Sequence, residues 1–246
     1  MDASEITAVV LTRDEERNLP RAITSLPHGC EILVLDAGST DRTVEFARGA
    51  GARVIERAWT DFVDARRFAL AQVTTPWTLV LDADEALDDR LRDAISALDP
   101  DRGGYIVRRT TYYRGKPMRM WSGEPLLRLV RTGSARVEAR PASGGDAALH
   151  ERLVGDGETG ELPGTLLHFS YPDATAYRSK FARYTGIEAR GRAFSFARAL
   201  AATLLVPARF ASNLVRRGAL LDGPRGWTVA WYSALYPAVV AWKCRS

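Results

Sequence analysis

The triplet Asp82-Ala83-Asp84 stands directly after a strand-like run, Trp77–Leu81 (WTLVL). Two carboxylates with one residue between them at a strand end can point one toward a bound sugar nucleotide and the other toward a divalent cation. The cation would bridge two phosphate oxygens and neutralise the charge that builds on a leaving diphosphate. Oxygen ligands suit Mg2+ or Mn2+. Taken alone, such a triplet is more often turn and N-cap chemistry than a catalytic site. A second acidic cluster, Asp36-Ala37-Gly38-Ser39-Thr40-Asp41, follows the run Glu31–Leu35 (EILVL), and a polar segment, Thr12-Arg13-Asp14-Glu15-Glu16, follows Ile6–Leu11 (ITAVVL).

These clusters need a scaffold that brings strand ends together. Ile6–Leu11, Glu31–Leu35, Arg53–Glu56 and Trp77–Leu81 read as strands, and the nearly unbroken apolar runs among them mark strands buried on both faces. Helical spacing fills the intervals at Glu15–Leu26, Thr43–Gly49 and Asp61–Val73, and again at Leu87–Leu98. Alternation of this kind predicts βαβ units, a mostly parallel sheet sandwiched by helices, and a ligand site at the carboxyl ends of the strands. Tyr105–Thr111, Leu126–Arg131 and Leu162–Phe169 read as further strands, separated by Gly- and Pro-rich stretches that predict an irregular region of loops laid over the first sheet. After Tyr177 the chain reads as helical, with breaks at Pro207, near Gly223-Pro224 and at Pro237. The expected division is therefore 1–100, 101–177 and 178–246.

Three ordered segments resemble the family 2 glycosyltransferases of the GT-A fold: Thr12–Leu19 (TRDEERNL), Leu35–Asp41 (LDAGSTD) and Val80–Glu85 (VLDADE). His150-Glu151, Leu167-His168-Phe169-Ser170 and Arg217–Gly223 (RGALLDG) are similar to the branch that contains the lipopolysaccharide core β-glucosyltransferases. The resemblance implies a nucleotide-binding half at 1–100 and an acceptor-side half at 101–177. Thr12, Glu15 and Asp36 would hold the nucleotide, with Asp36 facing the base. Arg66 would contact the diphosphate, an exposed helix arginine being the other reading. Asp82 would reach ribose or sugar and Asp84 the metal, while Glu85 would cap the following helix. An inverting transfer needs a base for the acceptor hydroxyl. Glu151 matches the family position and Asp146 is the second candidate. His150 or His168 would ligate the cation or donate to the diphosphate, and His168 is the expected ligand; a structural histidine is the competing reading for each. The implied reaction moves a sugar, glucose from a UDP-sugar, onto a lipid-linked or lipopolysaccharide acceptor. The alternatives are another surface polysaccharide built from a different sugar nucleotide, and a nucleotide-binding scaffold without turnover. A nucleotidyltransferase would want a Gly-rich phosphate loop after the first strand, where Thr12–Glu16 stands instead.

Composition narrows the setting. The chain has 246 residues, 46% of them hydrophobic and 26% charged, which excludes disordered and low-complexity classes. Two cysteines, Cys30 and Cys244, make neither a disulfide scaffold nor a cysteine zinc site, and three histidines exclude a His-rich metal site. Met1–Glu5 is polar and acidic, so no signal peptide is expected and a cytoplasmic setting follows. The net charge of +4 is uneven: residues 178–246 carry 12 Lys and Arg against Glu188 and Asp222 alone. Ala197–Arg217 mixes aliphatic residues with Arg198, Arg209, Arg216 and Arg217, and Trp227–Trp242 holds no charge but is short for a membrane span. The tail thus predicts peripheral attachment to an anionic membrane surface at its inner face, the alternative being that these helices pack on the catalytic domain or on a second subunit. Arginines interleaved with long aliphatic runs argue against nucleic acid.

Overall fold

The structure is a computed structural model and describes residues 1–139 and 151–245, Glu151 by its backbone alone. It divides into two compact units, one of Met1–Arg109 with the described residues of 123–169, the other of Thr110–Ser122 with residues 170–245.

The first unit is built on β1 (Ile6–Thr12), β2 (Glu31–Asp36), β3 (Arg53–Glu56) and β4 (Trp77–Asp82), which pair in parallel in the order β3-β2-β1-β4. All seven residues of β1 are buried. Its side chains alternate between two cores. Ile6, Ala8 and Val10 pack with Leu19, Leu79, Leu81, Leu91 and Ile95 on one face. Val9 and Leu11 pack with Leu33, Leu35, Ala65, Ala69 and Val73 on the other. A strand covered on both sides has no polar face to alternate, which is why its sequence is continuously apolar.

The covering helices are α1 (Leu19–Thr24), α2 (Thr43–Gly49), α3 (Phe62–Leu70) and α4 (Asp89–Ser96). The helix expected from Glu15 begins only at Leu19, with Pro20 in its first turn, where a missing N–H costs nothing. Asp61 caps α3 by accepting from the Asp64 amide at 2.8 Å. The helix expected over Leu87–Leu98 is corrected at its start: Glu85–Leu87 is a short strand, β5, and Asp88 caps α4 by accepting from the Leu91 amide at 2.8 Å.

The described residues of the middle, 104–139 and 151–171, form strands that are longer than the three short runs expected. The Gly-rich stretch Arg140–Ala147, read as loop, lies outside the described residues. β6 (Gly104–Tyr113) and β7 (Lys116–Arg131) are joined by Arg114-Gly115, both with positive φ (52° and 71°), the backbone signature of a tight hairpin turn. With β10 (Thr159–Tyr171) they extend the sheet to eight strands among the described residues, in the order β3-β2-β1-β4-β7-β6-β10-β5. β7 runs antiparallel to β4, and β10 antiparallel to β5. At Gly164 (φ +104°) β10 passes so close to α4 that a Cβ would lie 2.3 Å from the Leu91 nitrogen. A separate ribbon pairs β8 (Ala135–Ala139) with β9 (Glu151–Gly155).

The second unit holds α5 (Ala174–Ala189), α6 (Phe196–Leu204), α7 (Val206–Val215) and α8 (Gly223–Lys243), with a 3-10 turn at Ala219–Asp222. Tyr113, Met118, Met120, Tyr177, Val229 and Ala230 form its aromatic-rich core. Buried Asp222 accepts the Arg119 and Met120 amides at 3.0 and 3.4 Å. Pro207 does separate α6 from α7, but Pro237 does not break α8, which runs through it. Proline inside a helix costs about 3 kcal/mol or more through a lost backbone bond and a ring clash. Buried Ala234 and Ala238 pack with Val206 on either side of it, and this tertiary contact holds the helix.

Candidate active site

The segments after β1 and β2 are laced to each other. Thr12 and Asp36 face each other at the last step of the parallel ladder, and Thr12 Oγ1 donates to Asp36 at 3.1 Å. The Gly38 and Ser39 amides donate to the second Asp36 oxygen at 2.9 and 2.8 Å, and Ser39 Oγ donates to the first. A carboxylate offers about four acceptor positions, so buried Asp36 spends its capacity on shaping the 36–39 turn. From the other side, the Asp14 amide donates to Ser39 Oγ at 2.8 Å and the Thr40 amide to Asp14 at 2.7 Å. The Glu15 amide donates to Thr43 Oγ1 and the Glu16 amide to Asp41. Asp14 sits at φ 54°, a left-handed conformation that Asp tolerates better than most residues. The Glu15 carboxylate accepts from Asn18 at 2.8 Å. Beside these loops a shallow pocket is lined by Leu11, Leu35, Ala37, Arg57, Ala58 and Trp59.

Asp82 ends β4 between two guanidiniums. Arg66, 1% exposed on α3, donates to the Leu81 carbonyl at 3.2 Å and is ion-paired with Asp82. The reading of Arg66 as an exposed helix arginine is therefore wrong, and the geometry sets it behind Asp82 instead of on the surface. Arg128 of β7 reaches the other Asp82 oxygen at 3.2 Å and Glu85 at 2.7 Å. Arg109 of β6 joins Glu85 at 3.2 Å and Glu124 at 2.7 Å. The result is an alternating chain, Arg66–Asp82–Arg128–Glu85–Arg109–Glu124, with equal numbers of each charge. Burial works to raise the Asp82 carboxyl, but the charges of Arg128 and Arg66 outweigh it and hold the group well below the usual carboxylate range.

Glu85 is not a helix cap. Its side chain is fully buried, and besides the two arginines it accepts the Asp82 amide at 3.0 Å, closing the Asp82–Glu85 turn. The neighbouring arginine Arg67 donates twice to the Val137 carbonyl of β8, at 3.2 and 2.8 Å, and so ties α3 to the ribbon.

Asp84 stands within that turn, 3.3 Å from His168 Nε2. The pair is fixed by backbone register: His168 lies opposite Glu85 in the β5–β10 ladder, and the Phe169 amide donates to the Asp84 carbonyl at 2.8 Å. The Arg21 guanidinium covers the Phe169 ring at 3.9 Å. Asp84 and His168 are each largely but not wholly enclosed, 16% exposed. Among the described residues no group of three or more His, Cys, Asp or Glu is placed to hold a metal ion. An Mg2+ site built from one or two carboxylates completed by substrate phosphates needs no such group. One carboxylate with an adjacent imidazole, opening at a strand end, fits that protein share. Glu151 opens β9 opposite Ala139; its side chain lies outside the described residues, as do His150 and Asp146.

Arg109, Arg128 and Glu124 were not legible as site residues. The signal available was Arg128, flanked by leucines in LLRLVR; Arg109 stands beside the exposed Arg108 in YIVRRTT and gives no such signal. A charge interrupting a strand that is otherwise apolar needs a buried partner.

The architecture is that of the GT-A glycosyltransferases. The solved mannosyltransferase PcManGT from Pyrobaculum calidifontis, in complex with GDP-Man and Mn2+, shares the fold with a TM-score of 0.55 at 15% identity, covering 99% of this chain and 88% of that one. The chain belongs to the glycosyl transferase family 2, whose model matches residues 7–183. The lipopolysaccharide core biosynthesis glycosyltransferase LpsC of Rhizobium meliloti (strain 1021) is 31% identical over 176 residues, 67% of this chain and 63% of LpsC. An uncharacterized glycosyltransferase of Rickettsia typhi (strain ATCC VR-144 / Wilmington) is 34% identical over 134 residues, 52% of this chain and 45% of that protein. The chain thus spans less than two thirds of the length of either relative.

Proposed function

We propose that this family 2 glycosyltransferase is an inverting hexosyltransferase that moves glucose from a UDP-sugar onto a lipid-linked or lipopolysaccharide acceptor. The observation that carries the reading is the convergence of Asp82, Asp84 and His168 at one strand end of a family 2 sheet. The likeness to LpsC supports the choice of acceptor.

In this reading the nucleoside lies against Thr12, Glu15 and Asp36, with Asp36 on the side of the base. Asp82, held by Arg66 and Arg128, orients ribose or sugar; Arg66 then acts through Asp82 as a positioning residue. Asp84 and His168 would hold Mg2+ or Mn2+, which when bound supplies charge neutralisation at the diphosphate. Glu151 takes the proton of the acceptor hydroxyl as its oxygen attacks the anomeric carbon and the nucleoside diphosphate departs. The acceptor would be met at the inner face of the cell membrane, a placement supported by the basic segment 178–246.

Transfer from UDP-glucose to a lipopolysaccharide-core acceptor, followed by product linkage analysis, tests the reaction. Glu151→Gln should keep the UDP-dependent rise in melting temperature and lower turnover by about two orders of magnitude or more, the scale of lost base catalysis. Binding of UDP without any transfer product would favour a nucleotide-binding scaffold, and unchanged turnover in the variant would pass the base to Asp146.

A further inference from the structure

Among the described residues, the second unit carries apolar side chains that stand exposed. On α6, Phe196, Leu200 and Leu204 recur at every fourth residue and are exposed, Leu204 at 70%. Leu205, the residue shared by the ends of α6 and α7, is also exposed, and Val215 at the end of α7 is 75% exposed. The outward residues of α7 between them, Pro207, Ala208 and Ala211, are apolar too. Buried Ala199 and Val206 face the other way. On α8, Trp227 and Trp231 stand one turn apart, both about half exposed, with Phe210 against their rings.

The charge around this face has one sign. From Ala189 to Leu221 there is no Asp or Glu, while Arg190, Arg192, Arg198, Arg209, Arg216 and Arg217 fall in that span. Arg198, Arg216 and Arg217 are exposed at its margins. No helix among the described residues is long and apolar enough to cross a membrane.

We infer that the α6–α7 elbow, with Trp227 and Trp231, is a monotopic membrane-docking face that lies in the headgroup region of an anionic lipid bilayer. The chemistry selects this occupant. An interfacial helix buries its apolar side among acyl chains and sets arginines at headgroup level, where their long stems allow the charge to stay in water. Tryptophan prefers the same depth. A second copy seated on the same face would press arginine-rich margins together with no local carboxylate to answer them, and like charges so opposed are costly. A nucleic acid would gain nothing from the aliphatic stripe. The proposal deepens the membrane-side reading of the acceptor but is tested without donor or acceptor, so its failure leaves the transferase reading standing.

The test is co-sedimentation of the full chain with phosphatidylcholine vesicles, with and without phosphatidylglycerol. Binding should require the anionic lipid, fall at about 1 M salt, where the screening length shrinks to about 3 Å, and shift tryptophan emission to the blue. Arg216→Glu with Arg217→Glu should lower partitioning by about tenfold or more, and Leu204→Ser with Leu205→Ser should abolish the blue shift. Because these side chains are exposed, both variants should keep the parent's circular dichroism and its UDP-dependent melting shift. Absence of binding to anionic vesicles overturns the proposal. So does a stable dimer in light scattering that Leu204→Ser with Leu205→Ser dissociates, since the face would then be an interface between copies.

Discussion

Asp84 and His168 meet at 3.3 Å because the three-residue strand β5 and the long strand β10 place Glu85 opposite His168. The contact depends on ladder register: a slip of one residue would turn His168 to the opposite face of the sheet.

If this pair is the protein's share of a cation site, Asp84→Ala should remove the part of the UDP-induced melting shift that depends on Mn2+. His168→Ala should weaken that part by about one to two orders of magnitude in apparent metal affinity, as loss of a supporting group at a metal site typically does. Calorimetric scans with UDP, with and without Mn2+, read both. An unchanged Mn2+ increment in both variants would take the metal away from this pair.

Glu85 is the fully buried centre of the alternating charge chain, and Glu85→Ala would leave Arg109 and Arg128 facing each other without it. Removing one partner of a buried ion pair costs about 3–5 kcal/mol. Urea unfolding should show a loss of that size, with Glu85→Gln losing less because its amide oxygen still accepts. A change below about 0.5 kcal/mol, the range of ordinary surface substitutions, would contradict the assignment.

Asp82 sets an acid limb. Its folded carboxyl lies below the ordinary carboxylate value because Arg128 and Arg66 outweigh the opposing effect of burial. The unfolded chain therefore binds the extra proton first as pH falls. The stabilisation is complete above about pH 4, the unfolded carboxylate value, and declines as pH drops toward the folded one. Unfolding free energy measured against pH should fall less steeply below pH 4 in Asp82→Asn than in the parent.

Cys30 sets an alkaline one. Burial pushes its thiol up to about 11, so the folded state keeps a proton that the unfolded chain releases near 9. Its contribution is complete below about pH 9 and is lost as pH rises toward 11. Cys30→Ala should flatten the stability profile in that window. At pH 8 the folded thiol should react with iodoacetamide about a hundredfold more slowly than in urea, in proportion to thiolate content.

How far the fold was legible follows from where its signals are local. β1, β2 and β4 could be read because a strand covered on both faces leaves a nearly unbroken apolar run. The edge strand β3, with no buried residue, was placed by the strand–helix alternation around it; α2 runs over Thr43–Gly49 as expected. β5 could not: Glu85–Leu87 becomes a strand only through residues 166–168 of β10, a pairing with no local trace. The β6–β7 hairpin was masked by Gly115, Pro117, Gly123 and Pro125, which punctuate its sequence like a loop. Pro237 misled for the complementary reason, since packing at Ala234 and Ala238 outweighs a local penalty. In the site, the acidic clusters announced themselves by spacing, whereas the arginines that hold them come from α3, β6 and β7 and converge only in three dimensions.

The lacing of the two strand-end loops carries a thermodynamic consequence. Asp14, Glu15 and Glu16 on one side and Ser39, Thr40, Asp41 and Thr43 on the other are cross-bonded before any nucleotide arrives. Fixing backbone costs about 1–2 kcal/mol per residue, and for these loops that cost falls within folding. If the nucleotide of the proposed reaction binds here, it meets a wall whose backbone is already hydrogen-bonded, so less of its binding energy need go into ordering that wall.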